Sequence, residues 1–352
     1  MQRDLVDERG WITEQDYKEG LARAQLAPGP LAAQLAMYLG WVVGGVRGAT
    51  LVGLAFVLPS FLMVLALSAA YLSLGGLAWI QSLFYGMGAA VIAVIARSAA
   101  KLAGMTLKRD PLLWALFTGS ALVTAVTESE IVWVFVAAGL AGLAVRGRRP
   151  GGAGTLCAAT WPVWLVTGLA GPASGSTLVT IGWYFAEAGA FVFGSGLAIV
   201  PFLHAGVVDR YHWLTERQFL DAVAVAMITP GPVVITVAFI GYLVAGPAGA
   251  VVASLGVFLP CWLFVIIPAP CFRRFADDVR IKAFVDGVTA AATGAIAGAG
   301  WVLGRRSLVD ATSIAIAVVT LVILIRSRRI PEPVVVLAAG VAGLALGGAG
   351  GR

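Results

Sequence analysis

Charged residues are scarce in this chain of 352 residues: only 12% are Asp, Glu, Lys or Arg, whereas 60% are hydrophobic. The charges that do occur lie between long apolar runs rather than within them. Such a composition is typical of a polytopic helical membrane protein, with the lipid bilayer as its surroundings, and not of a soluble domain. The sequence therefore predicts an all-α membrane protein.

Cysteine and histidine are also rare, with three and two residues respectively. The cysteines follow no metal or redox spacing, and His204 and His212 form no ligand cluster with them. We therefore expect no cofactor, no metal and no disulfide framework. The net charge of +6 comes from loop Arg and Lys residues, and so apolar a chain offers no folded surface for nucleic acid. The charged start lacks the apolar core of a cleaved signal peptide, so insertion relies on internal spans.

The most informative pattern is an internal repeat. A shift of 202 residues aligns Pro28-Gly29-Pro30 with Pro230-Gly231-Pro232, and beyond these triplets a shift of 201 aligns Gly45 with Gly246. Most aligned residues are Gly, Pro or Ala, which indicates that backbone shape is what repeats. Repeats of this size in a membrane chain are typical of secondary transporters, although a duplicated helical bundle can also be an inert scaffold.

The repeat divides the chain into residues 1–149, a Gly/Pro/Ser-rich linker at 150–175, and residues 176–352. Because about twenty apolar residues cross a bilayer, the sequence predicts about nine transmembrane helices. They lie near residues 48–72, 82–103, 111–126, 131–145, 176–205, 249–270, 283–303, 309–326 and 331–349. Nothing ahead of Trp11 matches the span at 176–205. We expect that the first unit lacks its opening helix, either through real shortening or through a misplaced start codon.

Loop charges predict how the two units are oriented, because basic loops stay in the cytoplasm. Residues 72–81 are uncharged, whereas their partner segment, 273–282, carries four basic side chains. Residues 127–130 are acidic, whereas the partner segment, 326–329, carries three arginines. Four such contrasts assign equivalent loops to opposite sides, and one loop, with Arg305 and Arg306, dissents. The sequence therefore predicts two inverted-topology repeats.

Inversion requires an odd number of crossings in each unit. The second unit already has five plain spans, so residues 214–246 are predicted to enter and leave on one side as a re-entrant hairpin with its tip at Pro230-Gly231-Pro232. Residues 11–45 would repeat this around Pro28-Gly29-Pro30. Non-helical backbone at membrane depth is tolerated only beside protein or a water-filled cavity, so the tips indicate a site. A simple turn outside the membrane is the alternative.

The second proline of each triplet lies where a helix can begin, so the amides of residues 31–33 and 233–235 could attract an anion. A break in the span at 176–205 would add a further helix start to this site, although close packing of small residues is the alternative there. The predicted substrate-binding residues are Pro28, Gly29, Pro30, Pro230, Gly231, Pro232, Gly194, Ser195 and Gly196.

Three acids are candidates for proton coupling, because burial in a membrane protein favours a protonated carboxyl. Glu19 and Asp221 are repeat-equivalent, and Glu187 lies within the span at 176–205. A solvated position at a hairpin mouth remains the alternative for the first two. Arg97 lies inside an apolar run and could attract the anion, although snorkelling to the inner surface is an alternative.

Several motifs together closely resemble those of the chromate ion transporter family, in its long form with two homologous domains. They are Ala24-Gln25-Leu26-Ala27-Pro28-Gly29-Pro30 with Gln34, Phe56-Val57-Leu58-Pro59-Ser60-Phe61, Phe193-Gly194-Ser195-Gly196, Phe219-Leu220-Asp221 and Pro230-Gly231-Pro232. The resemblance adds Gln25 and Gln34 to the predicted substrate-binding residues. This chain departs from the family in Ser195, which replaces a usual glycine, in Met227, where glutamine is common, and in the missing opening helix with its Phe-Gly-Gly motif.

What the resemblance implies is export of chromate, a divalent oxyanion, across the cytoplasmic (inner) membrane, driven by the proton motive force. The expected partners are chromate or sulfate and protons, with a homodimer possible. From the repeats we expect a secondary transporter that alternates access around a midplane site, and not an enzyme. Transport of sulfate or another anion, or a non-transporting sensor or scaffold, are the alternative functions.

Overall fold

A computed structural model describes residues 3–26, 29–74, 77–127, 132–146, 176–191, 196, 199–268, 279–327 and 330–347. Within these ranges the chain is helical and contains no strand. The helices are α1 (Glu14–Leu26), α2 (Leu31–Leu74), α3 (Ala78–Thr106), α4 (Pro111–Thr127), α5 (Val132–Arg146), α6 (Ser176–Phe191), α7 (Ile199–His204), α8 (Glu216–Ile228), α9 (Thr236–Ile266), α10 (Val279–Ser307), α11 (Ala311–Arg326) and α12 (Glu332–Gly347).

Four helical segments are long and apolar enough to cross a bilayer, namely Leu31–Leu74, Ala78–Thr106, Val233–Ile266 and Lys282–Ser307. Shorter apolar helices lie at Pro111–Thr127, Val134–Val145, Ala311–Arg326 and Glu332–Leu346. The protein is thus a multi-pass membrane protein. Within the span predicted at 176–205, the described helices are α6, up to Phe191, and α7, from Ile199, and residues 192–195, 197 and 198 lie outside the described residues.

Helices α2 and α9 each contain a sharp reversal at equivalent positions. Gly45 has φ 57° and ψ −145°, and Gly246 has φ 62° and ψ −156°, a conformation that only glycine adopts readily. Each reversal folds the helix back on itself: a Cβ at Gly40 would lie 2.6 Å from the carbonyl oxygen of Gly48, and Gly241 meets Gly249 in the same way. Residues 31–43 and 46–74 are therefore two closely packed helices, as are 236–244 and 247–266.

The one-residue change of register between the halves has a structural cause. Residues 31–40 correspond to residues 233–241, which are one fewer, and the second segment begins with a 3-10 turn, Val233–Ile235. A 3-10 helix rises about 2.0 Å per residue, against about 1.5 Å in an α-helix. Ten α-helical residues and nine residues that include this turn both span about 15 Å. The larger rise per residue of this turn therefore keeps the two segments equal in length.

The similarity of the halves extends to the segments before α1 and α8. Both begin with a π-helical turn, Arg3–Glu8 and Ala205–Arg210, which are 202 residues apart. The amide of Trp11 donates to the carbonyl of Leu5, and the amide of Trp213 donates to that of Val207, at 2.9 and 2.8 Å.

The halves interlock through reciprocal contacts. Helix α3 packs on α11 and α12, and its counterpart α10 packs on α4 and α5. The contacts use small residues: a Cβ at Gly86 would collide with the carbonyl of Ala339, and a Cβ at Gly287 would collide with that of Ala138. These pairs are related by the same shift of 201 residues. Close backbone approach of this kind is the usual basis of helix association in membranes.

The equivalent helices α3 and α10 run in opposite directions. Along the contact between α3 and α10, a Cβ at Gly300 would lie 3.2 Å from Ile95, and a Cβ at Gly304 would lie 3.6 Å from Ile92. Along this contact the residue numbers of α3 decrease while those of α10 increase, so the two helices are antiparallel. Tyr85, near the start of α3, accordingly donates a hydrogen bond to Asp310, which follows the end of α10.

Candidate functional site

The described residues of the first triplet, Gly29 and Pro30, are buried and form what we call the first tip. Gly29 has φ 133°, a region that favours glycine. A Cβ there would lie 2.5 Å from the side-chain nitrogen Nε2 of Gln34 and 3.0 Å from the sulfur of Cys261. The Gln34 side chain is 1% exposed, so the predicted residue does lie against the tip.

The second tip, Pro230-Gly231-Pro232, has the same backbone shape, with Gly231 at φ 142°. Its Pro230 carbonyl accepts a hydrogen bond of 2.5 Å from the Ser60 hydroxyl, and a Cβ at Gly231 would collide with that hydroxyl. Unlike the first tip, Pro230 and Gly231 are exposed. The two tips thus share a conformation but differ in accessibility.

Each tip is contacted by a residue that belongs to the other half. Ser60 of the first half touches the second tip, and Cys261 of the second half touches the first tip. Ser60 and Cys261 are 201 residues apart, and each follows a repeated Leu-Pro dipeptide. The tips are therefore held by α2 and α9, which also pack on each other, with the Trp262 indole donating to the Thr50 hydroxyl at 3.1 Å.

A helix starts directly after each tip. The backbone N–H of Gln34 donates to the Pro30 carbonyl at 3.0 Å, and the backbone N–H of Ile235 donates to the Pro232 carbonyl at 2.9 Å. The amides of residues 31–33 and 233–234 precede these first bonds, and such amides point along the helix axis with a partial positive charge. Gly196 lies beside the second start, since a Cβ there would be 3.8 Å from the amide nitrogen of Val233. Pro28, Gly194 and Ser195 and the Gln25 side chain lie outside the described residues.

The equivalent acids Asp221 and Glu19 have different partners. Asp221 is 3% exposed and accepts a hydrogen bond of 2.7 Å from the hydroxyl of Tyr71, a residue of the other half. Glu19 forms a salt bridge of 2.6 Å with Arg23, four residues along the same helix, and the Arg23 guanidinium lies over the ring of Tyr38. The third acid, Glu187, lies half-buried in α6, within the field of Arg210.

Arg97 also has an acidic partner. Its Nη1 lies 2.9 Å from Oε1 of Glu332, at the start of α12 in the other half. The predicted role of Arg97 in attracting the anion stays a prediction, but in this conformation a carboxylate balances its charge.

A partly buried charge cluster around the buried His204 was not predicted from the sequence. The Nδ1 and Nε2 atoms of His204 lie 3.2 and 3.0 Å from carboxylate oxygens of Asp209 and Glu216, and Arg306 lies 3.2 and 3.3 Å from the same two acids. Burial favours the protonated form of Glu216, but the bonds and charges of His204 and Arg306 outweigh it, so the pKa of Glu216 is lowered. Arg306, one of the two arginines of the loop that does not fit the charge rule, is thus paired with two acids.

Three further contacts were missed, those of Ser60, Cys261 and Tyr71. Ser60 and Cys261 could have been found, because both lie next to the repeated Leu-Pro dipeptide. Tyr71 carried no signal, since its counterpart at 272 is a phenylalanine. Across the described part of the chain, no group of three or more His, Cys, Asp and Glu side chains is arranged to hold a metal ion.

The family model for chromate transporters matches residues 1–143 and 179–344. The chain belongs to the chromate transporter family. It is 57% identical over 349 residues to a chromate transport protein of Cupriavidus metallidurans, covering 98% of this chain and 86% of that protein. It is 51% identical to a probable chromate transport protein of Synechococcus elongatus, with 98% and 88% covered, and 33% identical to a chromate transport protein of Pseudomonas aeruginosa, with 98% and 80% covered. No solved structure matches this chromate transporter family member.

Proposed function

We propose that this chain is a secondary transporter that exports chromate from the cytoplasm across the cell membrane, driven by the proton motive force. Its family membership and the names of the relatives supply the substrate class. The observation that carries the proposal for the site is the crossed pair of tip contacts, Ser60 with Pro230 and Cys261 with Gly29.

The two halves are inverted repeats, and each Pro-Gly-Pro segment is the tip of a re-entrant hairpin. The antiparallel course of α3 and α10 supports inversion, since equivalent helices of parallel repeats would run the same way. The reversals at Gly45 and Gly246 support hairpins, because each follows its tip by only about fifteen residues, fewer than the roughly twenty that one full crossing needs. The hairpin arms are therefore half-helices, as in other transporters with sites at the midplane.

Chromate binds at the helix starts that follow the tips. A divalent oxyanion is stabilised by convergent amides and by the positive end of the helix dipole. Gly29 and Gly231 permit the turn that exposes those amides, and the Ser60 hydroxyl lies beside the second start as a further donor. The tips thus offer neutral hydrogen-bond donors, to which a tightly hydrated anion can bind and from which it can leave.

Asp221 carries the coupled proton, and transport proceeds by rocking of the repeats around the tips. Asp221 suits this role because it is buried, belongs to the arm that leads to the second tip, and has a neutral tyrosine as its hydrogen-bond donor. Glu19 is less suited, since the adjacent Arg23 already balances its charge.

Everted membrane vesicles test the function directly, because export from the cell becomes uptake into the vesicle. We expect saturable uptake of radiolabelled chromate that requires an imposed proton gradient and stops when an uncoupler is added. Sulfate has the same charge and a similar shape, so adding unlabelled sulfate as a competitor shows whether it binds at the same site as chromate. Uptake equal to that of vesicles without the protein would refute chromate transport, and stronger labelled-sulfate uptake would favour the alternative.

A further inference from the structure

Helix α2 contacts the arm of the second hairpin at two points. The Ser60 hydroxyl donates to the Pro230 carbonyl at the tip, and the Tyr71 hydroxyl donates to the Asp221 carboxylate in the middle of α8. Ser60 and Tyr71 are eleven residues apart, about 16 Å along a helix, and Asp221 and Pro230 are nine apart. One helix of the first half therefore bonds to this arm of the second half at its tip and at its middle.

The Tyr71 ring is fixed independently of its hydroxyl. Its centroid lies 5.2 Å from those of Phe84 and Phe239, with edge-to-face geometry in both cases. These contacts aim the hydroxyl at Asp221, which lies among buried apolar residues of α8. Among the described residues, the charged side chain whose field acts on Asp221 is Arg217, one turn earlier, and it donates to the Gln81 carbonyl of α3.

Each of the two bonds is sensitive to one of the transported species. A hydrogen bond to an ionised carboxylate is about twice as strong as one between neutral groups, so protonation of Asp221 weakens the Tyr71 bond. An oxyanion at the second tip is a stronger acceptor than a carbonyl, so it competes with Pro230 for the Ser60 hydroxyl. The proton and the anion thus act on the same helix.

We propose that Ser60 and Tyr71 are positioning residues through which α2 couples anion binding at the second tip to protonation of Asp221. With Asp221 ionised and the tip empty, both bonds hold the second hairpin against α2. The hairpin separates from α2 only when the anion accepts the hydrogen bond of the Ser60 hydroxyl and protonation of Asp221 has weakened the bond from Tyr71. This inference rests on the proposed function, and it confines coupling to one half, because Glu19 is paired within its own helix.

Full-length protein in proteoliposomes tests the coupling with two measurements. The first is the chromate accumulation ratio under an imposed proton gradient, and the second is chromate counterflow without a gradient. Tyr71→Phe keeps the ring and removes only the bond to Asp221. We expect it to lower the accumulation ratio about tenfold, the change that loss of one hydrogen bond to a charged group produces in an equilibrium, while counterflow continues. Ser60→Ala should also lower the accumulation ratio, but it should slow counterflow as well, because it removes a proposed donor to the anion.

Tyr85→Phe is the matched control, because it also removes a tyrosine hydroxyl that donates to an aspartate of the other half, but that aspartate, Asp310, belongs to neither hairpin. It should retain wild-type accumulation. The proposal is overturned if Tyr71→Phe accumulates chromate as the wild type does, if it loses counterflow together with accumulation, or if Asp221→Asn stays proton-driven. If Tyr71→Phe does not fold, unchanged accumulation in Ser60→Ala overturns it. Absence of any chromate flux in the wild type refutes the proposed function itself, and this inference with it.

Discussion

The hydroxyl of Ser60, in the first half, donates a hydrogen bond of 2.5 Å to the carbonyl oxygen of Pro230, in the second half. The equivalent contact, between Cys261 and Gly29, runs the opposite way between the halves. Each tip is thereby positioned by a helix that belongs to the other repeat. A movement of one repeat relative to the other must change both contacts, which places the tips where a conformational change acts on them directly.

Substitution of Gly231 should abolish transport. Gly231→Ala adds a Cβ at a backbone angle of φ 142° and against the Ser60 hydroxyl, so backbone strain of about 1–3 kcal/mol and a collision combine at the tip. The measurement is chromate uptake, normalised to the amount of folded protein. Gly119→Ala is the matched control, since a Cβ there meets nothing within 4 Å, and it should behave as the wild type. Full uptake by Gly231→Ala would show that the tip conformation is not required.

Because the two halves pack on each other reciprocally, substitution of equivalent glycines should lower stability by similar amounts. Gly86→Val and Gly287→Val each force a side chain into a backbone carbonyl of the other half, so each should destabilise the protein by about 1–3 kcal/mol. Thermal unfolding in detergent measures this. Gly104→Val, where nothing lies within 4 Å, should shift the melting temperature little. A large loss at only one of the two positions would contradict reciprocal packing.

The cluster around His204 predicts a pH dependence of stability. The pKa of Glu216 is lowered in the folded protein, so its ionised form contributes stability above the unfolded pKa, and this contribution is lost as the pH falls through the folded value. Glu216→Gln should therefore lower the melting temperature at neutral pH. Its difference from the wild type should shrink below the ordinary glutamate value of 4.5.

Glu14 provides the control for this prediction. It is the repeat counterpart of Glu216, but its side chain is 62% exposed and pairs with Lys18, four residues away. Exposed pairs of this kind contribute little, so Glu14→Gln should leave the melting temperature nearly unchanged. A gap between Glu216→Gln and the wild type that stays constant from neutral to acid pH would argue against the lowered pKa.

A double-mutant cycle separates the two roles open to Arg97. If Arg97 mainly pairs with Glu332, then Arg97→Gln, Glu332→Gln and the double variant should lose similar stability, because each breaks the same bond of 2.9 Å. The KM for chromate should stay unchanged in all three. A KM that rises in Arg97→Gln but not in Glu332→Gln would instead assign Arg97 to the path of the anion.

Much of the fold could be predicted from the sequence, because membrane spans are set by apolar length and the halves could be compared. The helices at 111–127 and 132–146 lie within a residue or two of their predicted spans. A break between α6 and α7 stays a prediction, since glycines permit a break without requiring it and residues 192–195 lie outside the described part of the chain. The repeat at Gly45 and Gly246 was visible, but its meaning as a reversal depends on a positive φ that composition does not specify.

The candidate site was predicted less completely, for a physical reason. Gly29, Gly231 and Gln34 carried local signals in the triplets and their surroundings. Tyr71 and Asp221 meet across 150 residues of chain, and the pairing of Arg97 with Glu332 spans 235. Such contacts follow from how the halves interlock, and no local spacing encodes that arrangement.

Chromate uptake by everted vesicles, compared between the wild type and a Gly29→Trp, Gly231→Trp variant present in equal amount, tests the central claim most directly. The account predicts uptake that follows the imposed proton gradient in the wild type and background uptake in the variant. Equal uptake by both proteins, or wild-type uptake that ignores the gradient, would contradict a proton-driven chromate transporter with its site at the two tips.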